Sequence, residues 1–355
     1  MPGLYIGSTM PFSGKNTLCL GLGLTFKKDG LSVGYLKPVG AQAARIGDAF
    51  GDLDAMAIGQ ALGQDVPPEL ATPVLVTQDF MHKVFSQGPC QDHTGNILKA
   101  YRTISKGKDV TLVGGSGGFL HSGLYACMDG VTVAKALDVP VIIVDRCTHE
   151  MNYDILLAIK ERMGDMMLGC VLSDVPGHYL EEVTGVLVPF LNGRGVPVLG
   201  LMPHDRLLGS VTVHVLAERL GGKIIAGAHK ADSVAESFLI GTMQVENFLT
   251  HFRKHQNAAV ILGGDRSDLQ LVAIEGRSAC LVLTGNLYPN DIILARAENA
   301  EVPIMVVRED TYTVARRMDA LLARHKLRDP GKFKQASQLV AAHLDMATIR
   351  RGLGF

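Results

Sequence analysis

The chain has 355 residues, 47% of them apolar and 19% charged, with a formal net charge of −1 and basic and acidic residues interleaved. That length suits two or three domains, and the balanced charge excludes a general nucleic-acid binder or a membrane-surface protein. The first strand begins within a few residues of Met1 and no apolar run approaches the roughly 18 residues of a membrane span, so the expectation is a cytoplasmic protein, neither secreted nor membrane-spanning.

Leu4-Tyr5-Ile6 is a short apolar strand that breaks into Gly7-Ser8-Thr9-Met10-Pro11-Phe12-Ser13-Gly14-Lys15-Asn16-Thr17 and re-emerges as an apolar helix over residues 18–26. A strand, a Gly/Ser/Thr loop and a helix start aim backbone N–H groups and a lysine at one point, which is a phosphate site. The spacing is a variant of G-x4-G-K-[ST]: Thr9 takes the first-glycine position, Gly7 stands two positions early, and Asn16 follows the lysine. Lys15 is assigned to the β- and γ-phosphate oxygens and Gly14 to close backbone approach, with Gly7, Ser8, Thr9 and Asn16 completing the loop. Thr17 or Ser13 supplies a hydroxyl near Mg²⁺. The competing reading is a Ser/Thr-rich helix cap with an incidental lysine. Gly21 and Gly23 each cost the helix about 1 kcal/mol relative to alanine, and close packing against the sheet is the expected return.

Residues 32–36 read as a strand ending in Lys37-Pro38-Val39-Gly40, which places Lys37 at the carboxyl edge, where it reaches a phosphate or a carboxylate. The run Asp48-Ala-Phe-Gly-Asp52-Leu-Asp54 reads as the opening of a helix to about residue 62, with Asp52 or Asp54 either its N-cap or a ligand of Mg²⁺. Residues 67–91 look like an excursion over the sheet edge; His82, Cys90 and His93 fall there without metal-ligand spacing. The six cysteines, none in a C-x2-C pair, read as reduced, mostly buried thiols. A strand over 109–113 opens into Gly114-Gly115-Ser116-Gly117-Gly118, where something approaches the backbone closely or the turn needs positive φ. Further strands end in Asp145-Arg146-Cys147-Thr148, in Ser173-Asp174-Val175-Pro176 and in Pro203-His204-Asp205-Arg206, with a helix over about 180–191 before the last. Strand and helix alternate throughout. The fold class is therefore α/β, a P-loop-type mostly parallel sheet with helices on both faces.

These motifs, in this order over residues 1–215, resemble the dethiobiotin-synthetase-like P-loop ATPase domain, especially the version at the N-terminus of long phosphotransacetylases. The resemblance implies ATP or a related nucleotide as ligand, Mg²⁺ held by Thr17 and Asp54, catalytic Lys15 and Lys37, and Ser173 where an asparagine reads the adenine. Two departures stand out: Gly114 replaces the acidic residue that opens the family's Gly-rich loop, and Ser173 replaces the asparagine. Losing a metal carboxylate weakens phosphoryl transfer more than nucleotide binding.

Residues 216–325 continue as a second, smaller α/β unit whose strands are followed by polar loops: Gly263-Gly264-Asp265-Arg266-Ser267-Asp268, Thr284-Gly285-Asn286-Leu287-Tyr288-Pro289-Asn290 and Arg308-Glu309-Asp310-Thr311-Tyr312-Thr313. In a parallel sheet these emerge at one edge and can build one site, with Gly264, Asp265, Arg266, Thr284 and Asn286 as candidate ligands. A capping box over Ser267-Asp-Leu-Gln270 is the competing reading. The block resembles the DRTGG domain, with Ser267-Asp268 departing from its motif. Residues 326–355 read as a basic linker around Asp329-Pro330-Gly331 and one amphipathic helix. No acetyltransferase domain is read in the chain, so acetyl transfer is not expected. The favoured function is a nucleotide-binding regulatory protein, homo-oligomeric by resemblance; the alternative is an ATP- and Mg²⁺-dependent ligase or amidase acting on a carboxylate, with Asp52, Asp109 or Asp145 replacing the acid lost at Gly114.

Overall fold

The computed structural model describes residues 2–87, 93–148, 153–323 and 330–355, so Cys90 and Asp329 lie outside the described residues. The chain divides into two compact units, Met1–Asp205 with Lys326–Phe355, and Arg206–His325.

The first unit is built on strands β1 (Gly3–Ser8), β2 (Val33–Leu36), β3 (Val110–Gly114), β4 (Val141–Arg146), β5 (Met167–Val175) and β6 (Val198–Pro203). They pair in the order β6-β5-β4-β1-β3-β2, every pair parallel. Runs such as Val-Ile-Ile-Val in β4 are buried on both faces because helices cover both sides of a parallel sheet. The α/β class with a mostly parallel sheet, read from the alternation, is the class observed. With β1 between β3 and β4, the ends of these strands lie side by side at one edge: Ile6 pairs with Gly114 and Ser8 with Val144.

Helix α1 (Lys15–Lys28) follows β1. A Cβ on Gly23 would stand 2.7 Å from Leu62 Cδ2 and 3.3 Å from Leu112 Cδ1, so one glycine does let α1 approach the sheet. Gly21 faces elsewhere. A Cβ there would lie 2.3 Å from Val340 Cγ2 and 2.7 Å from the Ala336 carbonyl, on the helix Pro330–His343. The tail holds two helices rather than one, because Asp345 caps a second, Met346–Leu353, by accepting from Thr348 N at 3.0 Å.

Residues 48–51 do not open a helix. Residues 49–52 form the second strand of a hairpin, Ala43–Ile46 against Ala49–Asp52, with Asp48 in the turn and Gly47 at φ 61°. Helix α2 (Leu53–Ala61) begins after Asp52, whose carboxylate accepts from the N–H groups of Asp54 and Ala55. That settles which of the two acids is the cap. The helix read over 180–191 carries a π-turn over Val183–Leu187, ahead of Pro189 in the segment Val188–Gly193. Proline has no N–H to return to the preceding turn, and the wider turn absorbs the loss.

The second unit has β7 (Lys223–Ala226), β8 (Ser237–Ile240), β9 (Ala258–Gly263), β10 (Cys280–Thr284) and β11 (Ile304–Val306), in the order β7-β11-β10-β9-β8. Only the β7–β11 pair is antiparallel. Alternation along β9 sends Ala259 and Ile261 into one apolar cluster and Val260 and Leu262 into the other, so this sheet also has two covered faces.

Candidate functional site

The loop between β1 and α1 is held from below by the strand ends beside it. Thr9 N donates to Val144 O at 3.1 Å, and Phe119 N donates to Ser8 O at 2.7 Å. The turn passes through Phe12 at φ 64° and Gly14 at φ 93°, a left-handed conformation that glycine adopts without penalty immediately before the helix. Lys15 is 8% exposed; its ammonium donates to Ser8 Oγ at 3.2 Å and to the Gly117 carbonyl at 3.3 Å. Burial, and then the nearby charge of Lys37, hold its pKa down to about 8. Ser8 Oγ also donates to Met10 O and Ser13 Oγ to Met10 O, so both hydroxyls brace the loop. Gly7 packs under it, where a Cβ would strike Phe119 at 2.6 Å. In the glycine run, Gly117 takes φ 59° and Gly118 lies against the Thr9 carbonyl, so that loop closes on the first one.

One cation and two carboxylates meet on the β2 side. Lys37 Nζ stands 2.8 Å from Asp52 Oδ1 and 3.8 Å from Asp54 Oδ2, with Lys37 and Asp52 both buried. Asp54 Oδ2 also accepts from Asn16 Nδ2 at 3.1 Å and from Gln42 Nε2 at 2.9 Å. Asn16 therefore engages the acid through its amide N–H, and Thr17 is buried in the first turn of α1. Of the acids considered as replacements at Gly114, Asp109 lies at the opposite, amino edge, where it accepts from Ser32. Asp145 lies at the correct edge, but Thr9 Oγ1 donates to it; burial raises its pKa to about 6.

Ser173 is buried at the end of β5 and donates to Ser13 O at 2.6 Å, tying the phosphate loop to the sheet. Its neighbour Asp174, at φ 57°, accepts from Arg146 Nε at 2.7 Å and pairs with His204 Nδ1 at 2.5 Å. Burial alone would raise Asp174, but the His204 hydrogen bond and the Arg146 charge outweigh it and hold the carboxyl down to about 2. His204 is raised in turn, by the hydrogen bond to Asp174. Reading the sequence places these three at successive strand ends without bringing them together. The signal was their common position just past the apolar runs of β4, β5 and β6.

In the second unit the three polar loops are fastened to one another. Thr284 Oγ1 and Thr311 Oγ1 share a hydrogen bond of 2.8 Å, Gly285 N donates to Glu309 O, and a Cβ on Gly264 would lie 2.3 Å from Leu287 O. Asn286 sits at φ 56° with its N–H on Val307 O. Arg266 is turned onto Asp268 at 2.9 Å and onto the Met243 carbonyl at 3.2 Å, and Asp265 stands in the same loop. The capping box does not form: Gln270 Nε2 reaches back to the carbonyls of Gly263 and Gly264 instead.

Residues 2–212 match the AAA domain family and residues 215–321 the DRTGG domain. The chain belongs to the AAA domain family, with a DRTGG domain behind it. Among curated proteins it is similar to the phosphate acetyltransferase of Nitratidesulfovibrio vulgaris, 24% identical over 98% of this chain and 51% of that protein. It matches that of Pseudomonas putida equally, 24% over 100% of this chain and 52% of the relative. The chain thus spans about half the length of the curated relatives it matches. Among solved structures, the MinD cell division protein of Aquifex aeolicus is 14% identical, covering 59% of this chain and 84% of that one at a TM-score of 0.38. The CBS and DRTGG domains of Clostridium perfringens pyrophosphatase, complexed with the activator diadenosine tetraphosphate, are 16% identical over 35% of this chain and 54% of that one, at 0.29.

P-loop NTPases hold Mg²⁺ between the hydroxyl after the loop lysine and a strand-end carboxylate. The AAA domain here does not present that set: Asn16 stands after Lys15, Gly114 ends β3, and Asp52, Asp54 and Asp145 are each engaged by N–H or O–H donors of the protein. Among the described residues no helix is long and apolar enough to cross a membrane.

Proposed function

We propose that this protein binds ATP or a related nucleotide through its AAA domain and serves a regulatory role in which the DRTGG domain takes part. The observation that carries the reading is Lys15: a buried ammonium in the first turn of α1, behind a left-handed glycine, held by Ser8 Oγ and the Gly117 carbonyl. A buried lysine whose hydrogen bonds among the described residues go to neutral oxygens favours an incoming anion, and the start of a 14-residue helix adds the partial positive charge that phosphates seek. Lys15, Gly14, Ser8, Thr9, Ser13, Asn16 and Thr17 form the cradle. Lys37 contributes from a position already shared with Asp52, and Ser173 acts by fixing Ser13. The three fastened loops of the DRTGG domain, with Gly264, Asp265, Arg266, Thr284 and Asn286, are proposed as its own ligand site. A cytoplasmic, homo-oligomeric protein is part of the same reading.

Turnover is expected to be slow or absent, since among the described residues no strand-end acid faces the loop uncommitted in the way phosphoryl transfer requires. The ligase alternative has no observation in its favour, and acetyl transfer has no part in the reading. The test is calorimetric titration of the protein and of Lys15→Ala with ATP and ADP, beside a phosphate-release assay. Binding that the variant loses, with negligible release, is the expected result; rapid release would restore the ligase, and no binding by the native chain would remove the nucleotide.

A further inference from the structure

We infer that the AAA domain of this protein takes its nucleotide without a divalent cation, because the space beside the phosphate loop where a metal-holding carboxylate would be rooted is filled by the phenol of Tyr35. The inference rests on the nucleotide reading above and goes beyond it in naming the form of the ligand, the metal-free polyphosphate.

Strands β3 and β4 flank the loop strand, so their ends are two of the places from which a metal carboxylate can come, Asp54 in α2 being the third. On β4, Asp145 is 8% exposed and accepts from Thr9 Oγ1. At the end of β3 stands Gly114, and a Cβ there would lie 2.5 Å from Tyr35 Oη and 3.2 Å from both Cζ and Cε2. Real Cβ atoms do not approach that closely, so any side chain at 114 must evict the ring. Tyr35 cannot yield easily. It is fully buried, and its strand is clamped by Gln64, which accepts from Tyr35 N at 2.7 Å and donates to Tyr35 O at 2.8 Å. Its hydroxyl has no hydrogen-bond partner among the described residues. A buried phenol without a partner is held there by shape, and the shape it fills is the one left by a missing side chain at 114.

The opposite side of the site argues in the same direction. Asp54 Oδ2 faces three nitrogen donors, Gln42 Nε2 at 2.9 Å, Asn16 Nδ2 at 3.1 Å and the Lys37 ammonium at 3.8 Å. A cation binding this oxygen would sit among N–H groups and beside an ammonium, which repel it. Magnesium demands near-ideal octahedral oxygen coordination and sheds its waters reluctantly. The protein's own donors already engage this oxygen of Asp54.

The experiment uses the full chain. ATP affinity is measured by calorimetry in EDTA and in excess Mg²⁺, and thermal unfolding is followed for the native protein, Gly114→Glu and the double variant Tyr35→Val/Gly114→Glu. We expect excess Mg²⁺ to weaken the apparent affinity by about tenfold or more, because it converts the free nucleotide to its magnesium complex, where a metal-dependent site would tighten by a similar factor. Gly114→Glu should melt well below the native protein or fail to fold, and the double variant should recover much of that loss. Equal or tighter binding in excess Mg²⁺ overturns the inference and leaves the nucleotide reading standing. A double variant no more stable than Gly114→Glu overturns the assignment of Tyr35 to that space. Absence of ATP binding in both conditions, by contrast, overturns the nucleotide reading, and the inference with it.

Discussion

The Lys37 ammonium lies 2.8 Å from Asp52 Oδ1, and neither side chain reaches solvent to any extent. The same carboxylate caps α2 and accepts from Gln42 N, so the pair joins the end of β2, the hairpin and the helix. Removing one member of a buried pair leaves an uncompensated charge, which costs about 3–5 kcal/mol. Lys37→Ala should therefore lose that much in urea unfolding. Lys37→Met/Asp52→Asn, which removes both charges and keeps an acceptor for the cap, should recover most of it. A loss below about 1 kcal/mol in the single variant would mean that the ammonium does not neutralise Asp52.

Lys15 makes phosphate affinity depend on pH in a defined direction. Its pKa in the free protein is about 8, below the ordinary 10.5, because burial and then Lys37 disfavour the charged form. Binding a phosphate requires the ammonium, so part of the binding energy goes to protonating Lys15 once the pH passes 8. Affinity should be nearly flat below pH 7 and weaken by up to about tenfold per unit above 8. Lys15→Arg, charged throughout, should flatten that limb. Calorimetry in buffers of different ionisation heat would show proton uptake at pH 8.5 in the native protein alone.

How far the sequence reveals these features depends on how local they are. The α/β alternation, the strand–loop–helix at Lys15 and the common edge of the second unit's loops follow from apolar runs and glycines adjacent in sequence. The run Asp48–Asp54 reads locally as the opening of one helix, and only the pairing of Ala43 with Asp52 shows that a hairpin ends there before the helix begins. The Arg146–Asp174–His204 cluster and the contact of Tyr35 with Gly114 depend on which strands are neighbours, which no local pattern encodes. Ser173 shows the same limit. At its strand end it could face a ligand or the loop, and its hydrogen bond to Ser13 O, 160 residues away, turns it toward the loop.

The Asp174–His204 pair gives stability a pH window. His204 is raised above 6.5 by Asp174, so its contribution is full below 6.5 and is lost as pH climbs through the folded value. Asp174, held at about 2, contributes above its ordinary 3.8 and loses that as pH falls toward 2. Stability from the pair should thus be greatest between these limits. Because the His204 side chain is 53% exposed, solvent screens its share to about 1 kcal/mol or less. Urea unfolding at pH 5.5 and 8.5 should show a decline in the native protein that His204→Gln removes. An equal decline in the variant would assign it to other groups.

Two glycines inside helices should answer the same substitution with opposite signs. In a helix, Gly→Ala normally stabilises by up to about 1 kcal/mol, since alanine loses less backbone freedom on folding. Gly59 in α2 has only Gln64 near a new Cβ, at 3.9 and 4.0 Å, which is ordinary contact. Gly59→Ala should gain close to the full amount. At Gly21 the new methyl would press on Val340 Cγ2 at 2.3 Å and on the Ala336 carbonyl at 2.7 Å, and that carbonyl is helix backbone that cannot rotate away. Overpacking of this kind costs about 1–3 kcal/mol, enough to cancel the helix gain or exceed it. Gly21→Ala should therefore destabilise the first unit and loosen the helix Pro330–His343, read as faster amide exchange around Val340. Adding Val340→Ala should return only part of the loss, because it clears the side chain and leaves the carbonyl. If Gly21→Ala instead stabilises as Gly59→Ala does, the C-terminal helix does not pack on α1 at this distance.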